Sequence, residues 1–306
     1  MTIRNVAIIG CGLIGASWAA LCRAHGYAVT AWDPSAQARS DFAARLAAPM
    51  TQLHALSPAS HAQPGPLTVT ETLADAVAEA DLIQENAPEK IPLKHALYAE
   101  IVAAAPADAI ISSSTSSLTW SALSAGLDDP GRLVTAHPFN PPHLMPLVEL
   151  FAADPARLQT ARAFYETLGR EVVVLRKDAV GHIANRLASA LWREAVNIVA
   201  EGIADVAEID RAMVHGPGLR WSVVGAHMGN HLGGGPAGMR HYLDHLGPSQ
   251  EARWQTLGNP RLTPEVCDRL VAGIEAEADG RDIPELEAQR DAALMTILQS
   301  RKAQHD

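Results

Sequence analysis

The run VAIIGCGLIG, from Val6 to Gly15, constrains the fold more than any other part of the chain. Its first residues are apolar and rich in β-branched types, read as a strand buried on both faces, and they meet Gly10 at once. Gly10, Gly12 and Gly15 follow in the pattern GxGxxG, and LIGASWAALCRAHG continues with helical periodicity. A helix that opens directly from a glycine turn presents unbonded N–H groups and the positive end of its dipole. Those N–H groups, at Leu13 and Ile14 and before them, suit a phosphate, and the spacing is that of a dinucleotide-binding turn. Gly10 permits the tight turn, Gly12 lets the pyrophosphate approach the backbone, and Gly15 lets the helix pack closely on the strand. Asp33 ends the next apolar run, AVTAWD, 18 positions after Gly15. A carboxylate there accepts hydrogen bonds from ribose hydroxyls and repels a 2′-phosphate, and no arginine follows before Arg39. NAD is therefore the expected cofactor, rather than NADP. On the residues alone, a glycine-rich turn in some other α/β domain is the alternative, and Cys11 is a small space-filler.

The pattern set by this segment repeats. Short β-rich runs at 28–33, 67–70, 81–86, 109–114, 133–138, 148–151 and 171–176 mostly alternate with helical stretches, including an alanine-rich helix to about Leu56. SPASHAQPGP reads as a turn-rich connection. Strands alternating with helices predict an α/β fold with a doubly wound, mainly parallel sheet of the Rossmann kind. From Val180 the β-type runs disappear. HIANRLASALWREAVNIVAEG carries apolar residues at helical spacing, and the rest reads as helices broken at HGPG, GGGP and LGPS. Two domains are expected: an NAD-binding domain over 1–180 and an all-α substrate-binding and dimerisation domain over 181–306.

Composition narrows the partners. The 306 residues carry a net charge of −10, which disfavours nucleic acid and anionic membranes, since phosphate binding needs a basic face. Hydrophobic residues at 48% supply a packed core. Three cysteines without a CxxC pattern predict free thiols and a reducing cytoplasm. The N-terminal apolar run is too short for a signal peptide, and no stretch reaches the length of a membrane span.

Dehydrogenation of an alcohol needs a base for the hydroxyl proton, and histidine titrates in the right range. His137 lies at the C-terminal end of a predicted strand, where open α/β sheets bind ligands, and Pro-Phe-Asn-Pro-Pro after it stiffens the loop. Twelve residues later, Glu149 sits in the apolar run LVELF, where a lone carboxylate is costly to bury. Paired with the far nitrogen of His137, it would fix the tautomer and stabilise the imidazolium. The alternative is a loop histidine and a surface glutamate.

GCGLIG, SSTSSL (113–118), HPFNPP (137–142), PLVEL (146–150) and GHIANRL (181–187) occur in this order. Together they resemble the L-3-hydroxyacyl-CoA dehydrogenase family over nearly the whole chain. That resemblance implies His137 as base and Glu149 as its orienting partner. It implies Ser116 and Asn185 as groups bonding the reacting hydroxyl or the nicotinamide region, and Glu89 and Lys94 as positions near the cofactor. On the residues alone, Ser116 as a turn cap and Asn185 as a helix cap stand beside these roles. GPGLRW (216–221), HLGGGPAGMRHYLDHLGP (231–248) and IQENAPE (83–89) resemble the carnitine-oxidising branch of that family. They resemble the L-gulonate and lambda-crystallin branch less, and the acyl-CoA enzymes less again.

The implied substrate is a small L-3-hydroxy acid. Arg220 would meet its carboxylate bidentately, and Trp192 or Trp221 would face a trimethylammonium group. Packing between helices is the other reading of all three. A non-catalytic NAD-binding protein of the crystallin type is the reading from another class; the intact set Ser116, His137, Glu149 and Asn185 argues against it. His227 and His231, and His241 and His245, stand one helical turn apart, but neither pair has the glutamate of HExxH and the GNHLGGG stretch reads as interrupted, so no metal is expected. The terminal segment reads as a polar connection and an amphipathic helix, and a homodimer through the C-terminal domain is expected.

Overall fold

The computed structural model describes residues 2–57 and 63–302, so part of the SPASHAQPGP connection lies outside the described residues. Eight strands form one sheet: β1 (Asn5–Ile9), β2 (Ala28–Trp32), β3 (Leu67–Val69), β4 (Leu82–Glu85), β5 (Ile110–Ser113), β6 (Leu133–Pro138), β7 (Leu147–Phe151) and β8 (Glu171–Val174). All eight coincide with the predicted runs. Their order is β3-β2-β1-β4-β5-β6-β7-β8. Pairing is parallel from β3 to β6, β7 runs antiparallel to β6, and β8 is parallel to β7. The chain leaves β1 toward β2 and β3, then returns to build β4, β5 and β6 on the other side. This reversal opens a crevice at the carboxyl ends of β1 and β4, where such sheets bind ligands.

Helices α1 (Leu13–Ala24), α2 (Ala36–Arg45), α3 (Ala47–Leu56), α4 (Leu73–Val77), α5 (Ile91–Ala104), α6 (Trp120–Ser124) and α7 (Pro155–Thr167) cover the sheet. Val6 and Ile8 of β1 join one core cluster, with Trp18, Phe42, Leu53 and Phe164. Ala7 and Ile9 join the other, with Leu73, Tyr98, Ile101 and Leu123. Both faces are therefore buried, which is why the strands read as continuous apolar runs without alternation. The single alanine-rich helix expected up to Leu56 is two. Leu46 turns into the core, and its N–H bonds Ala43 O at 3.3 Å, a tight final turn that ends α2.

Beyond the sheet come α8 (Ala184–Ala200), α9 (Val206–His215), α10 (Pro217–Trp221), α11 (Ala226–Gly233), α12 (Gly238–Trp254), α13 (Pro264–Ala278) and α14 (Ile283–Lys302). The chain packs as two compact units, Met1–Arg186 with Gln289–Asp306, and Leu187–Ala288. The expected division of 1–180 from 181–306 differs from this at both ends. The lead-in to α8 stays with the sheet because Glu149 of β7 caps it, and α14 belongs to the first unit from Gln289 onward. A polar chain accompanies that return. Ser17 Oγ lies 2.9 Å from His143 Nδ1, His143 Nε2–H donates to Gln52 Oε1 at 2.6 Å, and Gln52 Nε2 donates to Asp291 at 3.1 Å. Burial pushes the His143 imidazole down to about 4, so this chain runs through a neutral ring.

The second unit has no strand among its described residues. Close contacts there depend on small residues: a Cβ on Gly258, in the connection after α12, would lie 1.9 Å from the Asn197 amide, and one on Gly273 of α13 would lie 2.4 Å from Val206. The expected turn at LGPS is absent. Pro248 lies inside α12, between Gly247 and Ser249, despite the missing N–H. The GNHLGGG stretch is likewise helical as far as Gly233.

Candidate active site

The carboxyl ends of the parallel strands bring the predicted groups to one edge of the sheet. After β1, Gly10 takes φ +100°, a conformation open to glycine, and a Cβ there would press on Asn86 O at 3.1 Å. A Cβ on Gly15 would lie 1.9 Å from Gly10 O, so α1 sits directly on the turn. Around Gly12, by contrast, a Cβ would meet no protein atom within 4 Å. Gly12 is also the N-cap of α1, and no side chain caps that helix. Open space, free N–H groups and an uncapped dipole are the features a pyrophosphate needs, so the residues present fit a dinucleotide. Leu13 is exposed at the same end. Asp33, just past β2, is aimed by the turn itself: Cys11 N–H donates to Oδ2 and Ser35 N–H to Oδ1, each at 2.9 Å. Each oxygen keeps a further lone pair for a ribose hydroxyl. Arg39 donates to Asp33 O at 2.7 Å. Burial and the Asp33 carboxylate push the Cys11 thiol up to about 12, which leaves it a packing group without reactivity.

The antiparallel turn-back of β7 places Glu149 directly opposite His137. Cross-strand neighbours share a face, so the twelve-residue spacing becomes a contact: His137 Nδ1 lies 2.8 Å from Glu149 Oε2. Both side chains are buried. The other carboxylate oxygen accepts from Ile183 N–H at 2.8 Å and Ala184 N–H at 3.0 Å, at the start of α8. Burial works to raise the Glu149 carboxyl, but the bonds from His137, Ala184 and Ile183 outweigh it and hold the group below its usual range. The carboxylate is ionised, and His137 Nδ1–H donates to it, leaving the ring's lone pair on Nε2. The loop between β6 and β7 is held by Arg170, which donates to Pro142 O at 3.0 Å.

His137 Nε2 opens on a cavity of about 270 Å³, lined by Ile14, Ser114, Ser116, His137, Pro138, Phe139, Asn140 and Asn185. Asn185 Nδ2 lies 3.3 Å from His137 Nε2 and donates to Ser116 O at 3.0 Å. Glu89 holds the same loop from the opposite side, accepting from Ser116 N–H at 2.5 Å and Thr115 Oγ1 at 2.9 Å. Ser116, His137 and Asn185 thus share one pocket, with Ile14 of the glycine turn on its wall.

Comparison with known proteins shows the family. Residues 5–179 match the family model described as 3-hydroxyacyl-CoA dehydrogenase, NAD binding domain, and residues 181–269 match its C-terminal domain. The chain belongs to the 3-hydroxyacyl-CoA dehydrogenase family. It is an NAD-dependent dehydrogenase. An L-carnitine dehydrogenase of Streptomyces griseus is 46% identical over 301 residues, covering 97% of this chain and 90% of that one. One from Pseudomonas aeruginosa is 41% identical over 309 residues, covering 99% and 96%. Among solved structures, 5-formyl-3-hydroxy-2-methylpyridine-4-carboxylic acid 5-dehydrogenase, an NAD+-dependent dismutase, shares 30% identity with a TM-score of 0.78, covering 97% of each chain. The (S)-3-hydroxybutyryl-CoA dehydrogenase PaaH1 of Ralstonia eutropha shares 28% identity with a TM-score of 0.64, covering 71% of this chain and 79% of that one.

Of the other predicted residues, Lys94 belongs to the same unit as the pocket but does not line it. Lys94 is buried, its ammonium 2.7 Å from Glu85 Oε1 and 3.0 Å from Ala87 O. Tyr98 and Ser113 donate to the second Glu85 oxygen at 2.6 and 2.7 Å. Lys94 therefore acts on the floor beneath the β4 and β5 ends, and Glu85, which sequence reasoning missed, is the centre of that network. Its signal was a charged pair nine residues apart bracketing a strand end. Trp192 lines a cavity of about 280 Å³ inside the Leu187–Ala288 unit, with Val196, Val199, Val206 and Ile274. Arg220 and Trp221 are exposed on α10 of the same unit. Phe139 and Ser114 of the pocket were also missed. Phe139 stands in a run whose sequence speaks only of stiffness, and nothing in the sequence distinguishes Ser114 from its neighbouring serines. Among the described residues no three metal-binding side chains gather. His231 Nδ1 accepts from Met239 N–H at 3.0 Å.

Proposed function

We propose that this enzyme oxidises the 3-hydroxyl of a small L-3-hydroxy acid, L-carnitine to 3-dehydrocarnitine, with His137 as base. The observation that carries the reading is the His137–Glu149 pair at 2.8 Å with Nε2 facing the pocket. Bound NAD supplies the hydride acceptor. The 3-hydroxyl proton passes to His137 Nε2 as the carbon-bound hydrogen leaves as hydride. Glu149, ionised and held by two backbone N–H groups, meets the positive charge that arrives on the imidazole. Asn185 and Ser116 keep the oxygen in place, and Glu89 keeps Ser116 in place.

The pocket supports the substrate. Apart from His137 its lining is uncharged, and Phe139 offers an aromatic face. A trimethylammonium group on such a face gains roughly 0.5–2 kcal/mol. The −10 net charge favours a zwitterion over a multiply anionic CoA thioester. Curated relatives named L-carnitine dehydrogenase at 39–46% identity point the same way. The assay is NADH formation from NAD. L-carnitine is expected to reduce it and 3-hydroxybutyryl-CoA to leave it unchanged. The reverse pattern would overturn the carnitine reading, and NADH from L-gulonate alone would move it to that branch. Failure of every 3-hydroxy acid would favour a non-catalytic NAD-binding protein.

The same reading includes a homodimer in the cytoplasm, where Cys11, Cys22 and Cys267 stay free thiols. Its support is the helical unit, whose exposed apolar side chains include Leu187, Trp192, Val214, Val223 and Trp254. No helix among the described residues is long and apolar enough to cross a membrane.

A further inference from the structure

His182 has no part in the mechanism above, yet it is buried against the base. Its ring stacks on that of His137, centroids 4.8 Å apart and planes 18° apart. Its Nε2–H donates to Thr115 O at 3.1 Å, so Nδ1 carries the lone pair, and that buried atom has no partner. The backbone at His182 is left-handed, φ +49°, directly after Gly181 at +74°. A non-glycine residue there is strained, and such strain persists where the surroundings demand it. This turn also aims the Ile183 and Ala184 N–H groups at Glu149.

The geometry points to His182 as a positioning residue, a flat neutral ring that fixes the plane of His137 and ties it to the Thr115–Ser116 loop. Neutrality follows from the surroundings. Burial and the adjacent His137 push the His182 imidazole below its usual range, against smaller opposite pulls from the Thr115 bond, Glu149 and Asp178. A charged ring would oppose the imidazolium formed on His137, whereas a neutral π face attracts it. Stacking and anchoring are separable: phenylalanine keeps the first alone, and alanine keeps neither.

The inference rests on His137 as the base, and the test separates the two. NADH titration counts competent sites in wild type, His182→Ala, His182→Phe and His137→Gln, and kcat is expressed per site. His182→Ala is expected to lose about tenfold to a hundredfold in kcat per site, the range for a misplaced catalytic group. His182→Phe is expected to recover most of kcat while raising KM for the hydroxy acid, because the Thr115 anchor is gone. The downfield proton NMR signal of His137 Nδ1–H is expected to persist in His182→Phe and to broaden in His182→Ala. Near-wild-type kcat per site and an unchanged signal in His182→Ala, beside an inactive His137→Gln, would overturn this proposal alone. An active His137→Gln would overturn the base itself.

Discussion

A His137→Gln enzyme is expected to turn over about 10²–10⁴-fold more slowly than the wild type while binding NADH as tightly. The size of the loss is that of removing a general base from a proton transfer. Glutamine has no nitrogen lone pair that can take a proton near neutral pH, so Nε2 has no substitute. The surroundings tolerate the change. Glu149 keeps its bonds from Ile183 and Ala184 at 2.8 and 3.0 Å, so its charge is not left without partners. The glycine turn and Asp33 follow β1 and β2, strands not adjacent to β6, so the contacts for pyrophosphate and ribose are kept although Ile14 borders the same pocket. Fluorescence titration with NADH and an absorbance assay on one preparation check both halves. Turnover within a few-fold of wild type would remove His137 from the chemistry.

The second large effect is a contrast between two glycines three residues apart. Gly15→Ala forces a Cβ to 1.9 Å from Gly10 O, a backbone atom that cannot rotate away. The turn and α1 must separate, and the expected result is a loss of about 1–3 kcal/mol in stability together with NAD binding. Gly12→Ala meets no protein atom within 4 Å, and the backbone there, φ −78°, suits alanine. Its stability is expected to stay within about 1 kcal/mol of wild type. The methyl stands where the pyrophosphate must approach, so affinity for NADH is expected to fall at least about tenfold, equivalent to about 1.4 kcal/mol. Thermal melts with and without NADH separate the two. Equal NADH stabilisation of Gly12→Ala and wild type would mean that phosphate does not lie on this turn.

Much of this site was legible because its chemistry is carried by strand ends. Runs such as VAIIG and LVTAHP read as strands from their apolar density alone, and parallel topology then gathers their carboxyl ends on one edge. His137 and Glu149 were within reach of sequence reasoning because a hairpin converts a spacing of twelve into a cross-strand pair. His182 was not, because its importance lies in a stack and a left-handed turn that no spacing announces. Lys94 was assigned toward the cofactor by resemblance, and only packing reveals that Glu85 draws its ammonium into the floor. The helical unit was least legible. Proline at 248 reads as a stop, yet α12 runs through it from Gly238 to Trp254. For Trp192, the same helical spacing serves a packing face and a ligand face equally well.

The central claim, NAD-dependent oxidation at the carbon bearing the 3-hydroxyl, is tested most directly by isotope transfer. L-carnitine deuterated at that carbon is incubated with the enzyme and NAD, and the reduced cofactor is analysed by mass spectrometry. The account predicts NADH carrying one deuterium, formed more slowly than NADH from unlabelled substrate if hydride transfer limits the rate. Reduced cofactor without deuterium, or no reduced cofactor from this or any other 3-hydroxy acid, would contradict it.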